Sequence, residues 1–135
     1  MSEKGVEAVK RAIEATNRRD AEALVEELDP DVEWHPGIAA LVDGGSTVYR
    51  GHAGALEYFR DLDEAFAETH FELSEIRDLG SRIFATGRFR ARGEASGAET
   101  ETPVALVVEE KNGKARRIQT YLDPEEALEA AGLEE

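Results

Sequence analysis

The spacing of apolar residues changes along the chain, from helical in the first half to alternating in the second. Apolar positions recur every three or four residues over about 3–18 and again over about 52–67, which predicts two amphipathic helices. A short helix capped by Asp20 is predicted between them. It ends at Asp29-Pro30, because the residue before a proline disfavours the helical conformation.

A short strand is predicted at 32–35 and a loop over 37–48. Further strands are predicted over 71–76, 82–92, 99–110 and 115–122. Asn112-Gly113 indicates a tight hairpin, since both residues tolerate positive φ, and Asp123-Pro124 begins a short last helix. The order predicts one α+β domain spanning 1–135, with three N-terminal helices packed in a curled, mainly antiparallel sheet.

One strand has apolar residues on both of its faces, over 104–108. Helices can cover one face of an antiparallel sheet, and the other face normally alternates with polar residues. A second subunit on the outer sheet face would explain the pattern, so we expect a homodimer. The alternative is that some valines are simply tolerated at the surface.

The composition excludes several kinds of partner and site. The chain has 135 residues, a net charge of −14 and no cysteine, so disulfides and thiolate metal sites are excluded. A strongly acidic surface repels nucleic acids and anionic membranes, so neither is an expected partner. No apolar h-region is present at the N-terminus and no apolar run is long enough to span a bilayer, so we expect a cytoplasmic protein.

Several short motifs occur in an order that resembles one family. They are Asn17-x-x-Asp20, Leu28-x-Pro-Asp-Val-x-Trp34, Tyr49-Arg50-Gly51-His52, Gly113-Lys114 and the ending from Tyr121-x-Asp123 to Leu133. Together they resemble the SnoaL-like branch of the nuclear-transport-factor-2-like superfamily. The resemblance implies a cone-shaped fold with a pocket for a small hydrophobic molecule, and it implies that dimers are common. It also implies that no metal or organic cofactor takes part.

The resemblance suggests three catalytic residues. His35, aligned on the proline that follows it, occupies the position of the aspartate base of the ketosteroid-isomerase branch, and a histidine can act as acid or base near neutral pH. A shift of one residue would instead put Trp34 in the pocket and turn His35 outward. Asp123 resembles the base of polyketide cyclases, although it also suits the cap of the last helix. Tyr121 would donate a hydrogen bond to a carbonyl or enolate.

Other residues are candidates for substrate binding. Gln119 shares a strand face with Tyr121 and Asp123. Arg88 and Arg90 share a face of their strand, and they either point inward to a ligand or pair outside with the acidic strand at 99–101. The aromatic candidates, which line either the pocket or the core, are Trp34, Tyr49, Tyr58 and Phe59. The three histidines lack metal-ligand spacing, so no metal site is predicted.

The expected oxyanion donors are missing. Members of the isomerase branch use a tyrosine on the first helix and an aspartate on the penultimate strand, and the matching positions here are Ala12 and Ala105. Losing one such donor typically costs about 10²–10³ in rate, which argues against ketosteroid isomerase activity. We therefore expect a binder of a small hydrophobic molecule, with cofactor-independent acid–base chemistry of the cyclase, isomerase, dehydratase or hydrolase type. The alternative is a non-catalytic binding or dimerisation module.

Overall fold

The computed structural model describes residues 2–35, 48–80, 82–93 and 95–121, together with 125 and 129. The elements in chain order are α1 (Ser2–Arg18), α2 (Ala21–Glu26), β1 (Leu28–His35), β2 (Tyr49–Arg50), α3 (Gly51–Ala65), β3 (Phe66–Asp78), β4 (Arg82–Gly93), β5 (Glu99–Lys111) and β6 (Lys114–Tyr121). Most of the predicted loop over 37–48, the residue Asp123 and most of the predicted last helix lie outside the described residues.

The six strands form one mixed sheet, with the order β2-β1-β6-β5-β4-β3. Strands β3 to β6 are joined as antiparallel neighbours, whereas β1 runs parallel to β6. The predicted α+β class with a mainly antiparallel sheet is confirmed. No helix within the described ranges is both long and apolar enough to cross a membrane.

Two predicted boundaries were wrong for local reasons. The third helix ends at Ala65 because Phe66 is already extended, and its ring packs edge-on against Phe89 with 6.1 Å between the centroids. Strand β1 begins at Leu28 rather than at 32. Asp29-Pro30 does end the helix, but Leu28 already pairs with Ala115, and an irregularity in the pairing precedes Glu33.

The main core lies between the helices and one face of the sheet, here called the inner face. One cross-strand row on this face runs from Trp34 through Ile118 and Val108 to Ile83. All four side chains are buried. Burying each contributes on the order of 1.5–3 kcal/mol, so this row is a large part of what holds helices and sheet together.

The opposite, outer face carries a small apolar cluster at one end. Phe84, Ala105 and Val107 form it, and Leu79 and Tyr121 pack against it. Residues 104–108 do have apolar side chains on both faces, as predicted. However, Phe84, Ala105 and Val107 are only 2%, 0% and 6% exposed in the single chain. They are therefore buried without a second subunit. The apolar residues on both faces of 104–108 no longer support the expected homodimer.

Two glycine positions are set by geometry. The hairpin predicted at Asn112-Gly113 is present, and both residues have positive φ, 54° and 82°. Gly87 lies where β3 passes close by, and a Cβ there would collide with the backbone oxygen of Glu72. Only a residue without a side chain lets β3 and β4 approach so closely.

Candidate functional site

A cavity of about 90 Å³ lies between α1 and the inner face of the sheet. Its lining residues on α1 extend from Ala8 to Asn17, roughly 14 Å along a helix that rises about 1.5 Å per residue. A small volume over that length makes the space narrow. The apolar residues that line it are Ala8, Val9, Ala12, Ile13, Leu24, Trp34, Leu62, Phe71, Phe89, Val104, Leu106, Val108, Ala115 and Ile118.

Several polar side chains in the cavity wall are already engaged. The Thr16 hydroxyl donates to the carbonyl of Ala12 at 2.8 Å. The Asn17 amide donates to the carbonyl of Phe71 at 2.9 Å and accepts from its N–H at 2.8 Å, which fastens the end of α1 to β3. Glu27 accepts two hydrogen bonds from Arg11. These side chains are therefore hydrogen-bonded within the protein, and they have fewer free donors and acceptors for a ligand.

Glu110 differs from those residues. Its Oε2 atom is buried and has no hydrogen-bond partner among the described residues. The oxygen lies over Gly5 of α1, where a Cβ would collide with it. Burial raises the pKa of Glu110, the negative charge of Asp78 raises it further, and the positive amino terminus opposes the shift. A carboxyl group of this kind in an apolar cavity is a candidate acid or base.

Sequence reasoning missed Glu110, although a signal was present. The alternation that points Val104, Leu106 and Val108 inward continues to residue 110, and Glu110 pairs with the buried Ala115. Glu110 entered the sequence-based prediction only as the last residue of the strand over 99–110.

The predicted aromatic residues divide between the cavity and the core. Trp34 and Tyr58 line the cavity, with 4.7 Å between their ring centroids. Burial raises the pKa of Tyr58. Tyr49 lies behind Tyr58, at 5.3 Å between centroids, and donates to Asp61. Phe59 belongs to the buried core, where the Arg19 guanidinium lies 5.7 Å from its ring. Neither Tyr49 nor Phe59 lines the cavity.

The structure does not bring His35 and Tyr121 into the cavity. Trp34 pairs with Ile118 on the inner face, so His35 and its partner Gln119 lie on the outer face. Tyr121 packs there against the cluster of Phe84, Ala105 and Val107. The one-residue shift that the sequence left open therefore places Trp34, and not His35, at the cavity. Asp123, the third predicted catalytic residue, lies outside the described residues.

His35 has a different neighbour. Its Nε2 lies 3.3 Å from Oε1 of Glu33, and Arg50 donates to the other oxygen of that carboxylate at 3.1 Å. The hydrogen bond with His35 lowers the pKa of Glu33, and that from Arg50 lowers it further. The arrangement is a surface group of polar contacts rather than a base facing a ligand.

Arg88 and Arg90 also point away from the cavity. Both bond to Glu101, at 3.1 and 3.0 Å, and Arg90 also bonds to Glu72 at 3.0 Å. The surface alternative considered from the sequence is therefore the one observed. Arg90 borders a broad polar depression of about 830 Å³, which shares Asn17, Thr69 and His70 with the end of the cavity.

The two positions matched to the oxyanion donors fall on different sides of the sheet. Ala12 lines the cavity, but Ala105 belongs to the outer cluster. The inward positions on either side of Ala105 are Val104 and Leu106, whose side chains have no donor either. Within the part of the chain that the structure describes, no three histidine or carboxylate side chains come together as a set of metal ligands.

Comparison with known proteins places this geometry in a family. The sequence model of the SnoaL-like domain matches residues 9–118, which is most of the chain. None of the curated proteins compared with the chain matches it.

Solved structures show the same fold. An NTF2-like protein of unknown function from Burkholderia pseudomallei is 24% identical, with a TM-score of 0.80 over 93% of this chain and 95% of that one. TerC, co-crystallized with polyporic acid, is 21% identical, with a TM-score of 0.80 over 96% and 98% of the two chains. A protein proposed to be a polyketide cyclase from Xanthomonas campestris pv. campestris is 18% identical, with a TM-score of 0.71 over 96% and 98%.

Proposed function

The chain belongs to the SnoaL-like domain family, and from that premise we propose that it binds a small, mainly apolar molecule between α1 and the inner face of the sheet. The observation that carries the proposal is the cavity itself. Its walls are mostly apolar, and Thr16, Asn17 and Glu27 are bonded within the protein. Sites for small ligands typically combine such walls with a few polar groups.

The size of the cavity limits the ligand. A volume of about 90 Å³ is below the range of roughly 300–1,000 Å³ that is common for ligand pockets. The ligand is therefore a short chain or a small ring. The co-crystallization of TerC with polyporic acid supports binding of an organic molecule by this fold.

Filling the cavity tests the proposal. Ala12→Leu puts a larger side chain into the lining, whereas Glu14→Leu places the same side chain on the exposed side of the same helix. Small apolar compounds should raise the melting temperature of the wild type and of Glu14→Leu, since a ligand that binds only the native state stabilises it. They should not raise that of Ala12→Leu. Equal shifts in both variants would show that the compounds bind elsewhere.

Acid–base catalysis in the cavity is a second candidate function, favoured by one observation. Glu110 lines the cavity and has an unpartnered buried oxygen, so it is better placed for proton transfer there than His35 or Tyr121. Incubation of a bound compound with the protein, followed by mass spectrometry, tests this function. Turnover should be lost in Glu110→Gln and kept in His35→Ala; a bound compound that stays unchanged favours the non-catalytic module.

The homodimer also remains a proposal. Sedimentation velocity across a range of protein concentrations tests it directly. A single monomer-sized species throughout would contradict both the homodimer and the dimerisation module. The cytoplasmic location is likewise still an expectation, which imaging of a tagged full-length protein would check.

A further inference from the structure

Two carboxyl groups at one end of the inner face have an oxygen without a hydrogen-bond partner. These oxygens are Oδ2 of Asp78 and Oε2 of Glu110, and no partner exists for either among the described residues. Asp78 pairs with Ile83, Ile83 pairs with Val108, and Glu110 lies two residues beyond Val108 on the same face. Both groups therefore lie at the same end of the inner face, where Glu110 lines the cavity and Asp78 is its charged neighbour.

Within the described part of the chain, neither carboxyl group has both of its oxygens hydrogen-bonded. Oδ1 of Asp78 accepts from the N–H of Gly80 at 2.7 Å, but its Oδ2 does not have such a partner. Gly5 offers only its backbone against Glu110. An ionised carboxylate only accepts hydrogen bonds, so the two acids can satisfy each other only by sharing a proton. A donor with positive charge would satisfy Glu110 without that proton.

We propose that the cavity binds a small unbranched alkylamine in its ammonium form, with the ammonium group donating to Oε2 of Glu110 and the alkyl chain lying along α1. The inference rests on the proposed function, because it names the ligand of the same cavity. An ammonium group has three donors and no acceptor, which matches acceptor-only carboxylates. The narrow apolar space from Ala8 to Asn17 matches an unbranched chain.

Other ligands of similar size fit this end of the cavity less well. A carboxylic acid in its anionic form would be repelled by Glu110 and Asp78. An alcohol supplies one donor but no positive charge for the two carboxylates. The net charge of −14 over the whole chain also attracts cations and repels anions.

Three ligands of one length test the inference: n-butylamine, n-butanol and butyrate. Melting temperature and calorimetric binding are measured at neutral pH for the wild type, Glu110→Gln and Glu109→Gln. Glu109 is the matched control, because it is exposed, points to the other face and lies 3.8 Å from Arg117. Glutamine keeps the size of the side chain and removes a buried charge, so Glu110→Gln should fold.

We expect n-butylamine to stabilise the wild type and Glu109→Gln, and to bind Glu110→Gln about tenfold more weakly or worse, since a hydrogen bond to a charged group is lost. Equal stabilisation of Glu110→Gln would overturn the inference and point to general screening of the acidic surface. Binding of n-butanol as tight as that of n-butylamine would also overturn it, but would keep the proposed apolar binding. If no compound, including larger apolar ones, binds the wild type, the proposed function itself fails.

Discussion

The inner and outer faces of the sheet are built by the same strands but have different surroundings. On β5, Val104, Leu106 and Val108 point into the cavity, while Ala105 and Val107 pack in the outer cluster. Towards the other end of the outer face, arginines of β4 pair with glutamates of β3 and β5. The inner face thus borders a cavity, whereas the outer face is filled or charged. A shift of one residue decides which role a side chain has.

The largest expected effect concerns the inner face. Phe89→Ala removes a buried ring from the cavity wall and should lower the free energy of unfolding by about 3–5 kcal/mol. Arg90→Ala, the next residue, removes exposed ion pairs and should cost less than about 1 kcal/mol. Urea unfolding measures both values. Similar losses for the two variants would contradict the assignment of faces.

The outer cluster should behave as a second, smaller core. Phe84→Ala should cost about 2–4 kcal/mol, because the ring is buried within the single chain. The loss should be the same at low and high protein concentration. A loss that shrinks on dilution would mean that a second subunit covers Phe84, as the sequence first suggested, because an interface contributes only while the dimer is populated.

The next largest loss of stability is expected from breaking the hydrogen bonds that join α1 to β3. Asn17→Ala removes both hydrogen bonds to the backbone of Phe71 and should cost about 1–3 kcal/mol. Asn17→Asp can still accept from the N–H of Phe71 but cannot donate when ionised. Its stability should therefore lie between those of the wild type and Asn17→Ala. Thermal unfolding of the three proteins checks this order, and an aspartate variant as stable as the wild type would contradict it.

The smallest effects concern two carboxyl groups on opposite faces. The pKa of Glu110 is raised in the folded state, so its contribution to stability is present below the ordinary pKa of 4.5 and is lost as the pH rises through the folded pKa. The pKa of Glu33 is lowered, mainly by the hydrogen bond with His35. Its contribution is present above 4.5 and is lost as the pH falls through the folded pKa.

Glutamine variants separate these two carboxyl groups. Relative to the wild type, Glu110→Gln should gain stability as the pH rises above 4.5, whereas Glu33→Gln should lose stability as the pH rises towards 4.5 from about 3. Urea unfolding at several pH values measures both trends. Trends of the same sign would contradict opposite pKa shifts of Glu110 and Glu33.

Much of the fold could be predicted because its signals are local. Helical spacing, the proline after Asp29 and the turn at Asn112-Gly113 each act over a few residues. The faces of the strands were harder, since His35 and Trp34 exchange roles if the register shifts by one. That register is set by the pairing of Trp34 with Ile118, between residues far apart in sequence.

The candidate site could be predicted only in part for the same reason. Trp34 and Tyr58 were identified as possible pocket walls, but Glu110 was overlooked. Its chemistry depends on Gly5 and Asp78, which reach it from other elements of the fold. No short sequence motif indicates that Gly5, Asp78 and Glu110 come together in the fold.

The parallel pairing of β1 with β6 has a consequence for how the protein is made. Trp34 leaves the ribosome long before Ile118, and the wall that they form together cannot exist until the last strand has been synthesised. Contacts between such distant residues slow folding, because a long loop must close first. Until then the apolar face of α1 has no complete sheet to cover it, so a nascent chain stalled before residue 114 should be a ready substrate for chaperones.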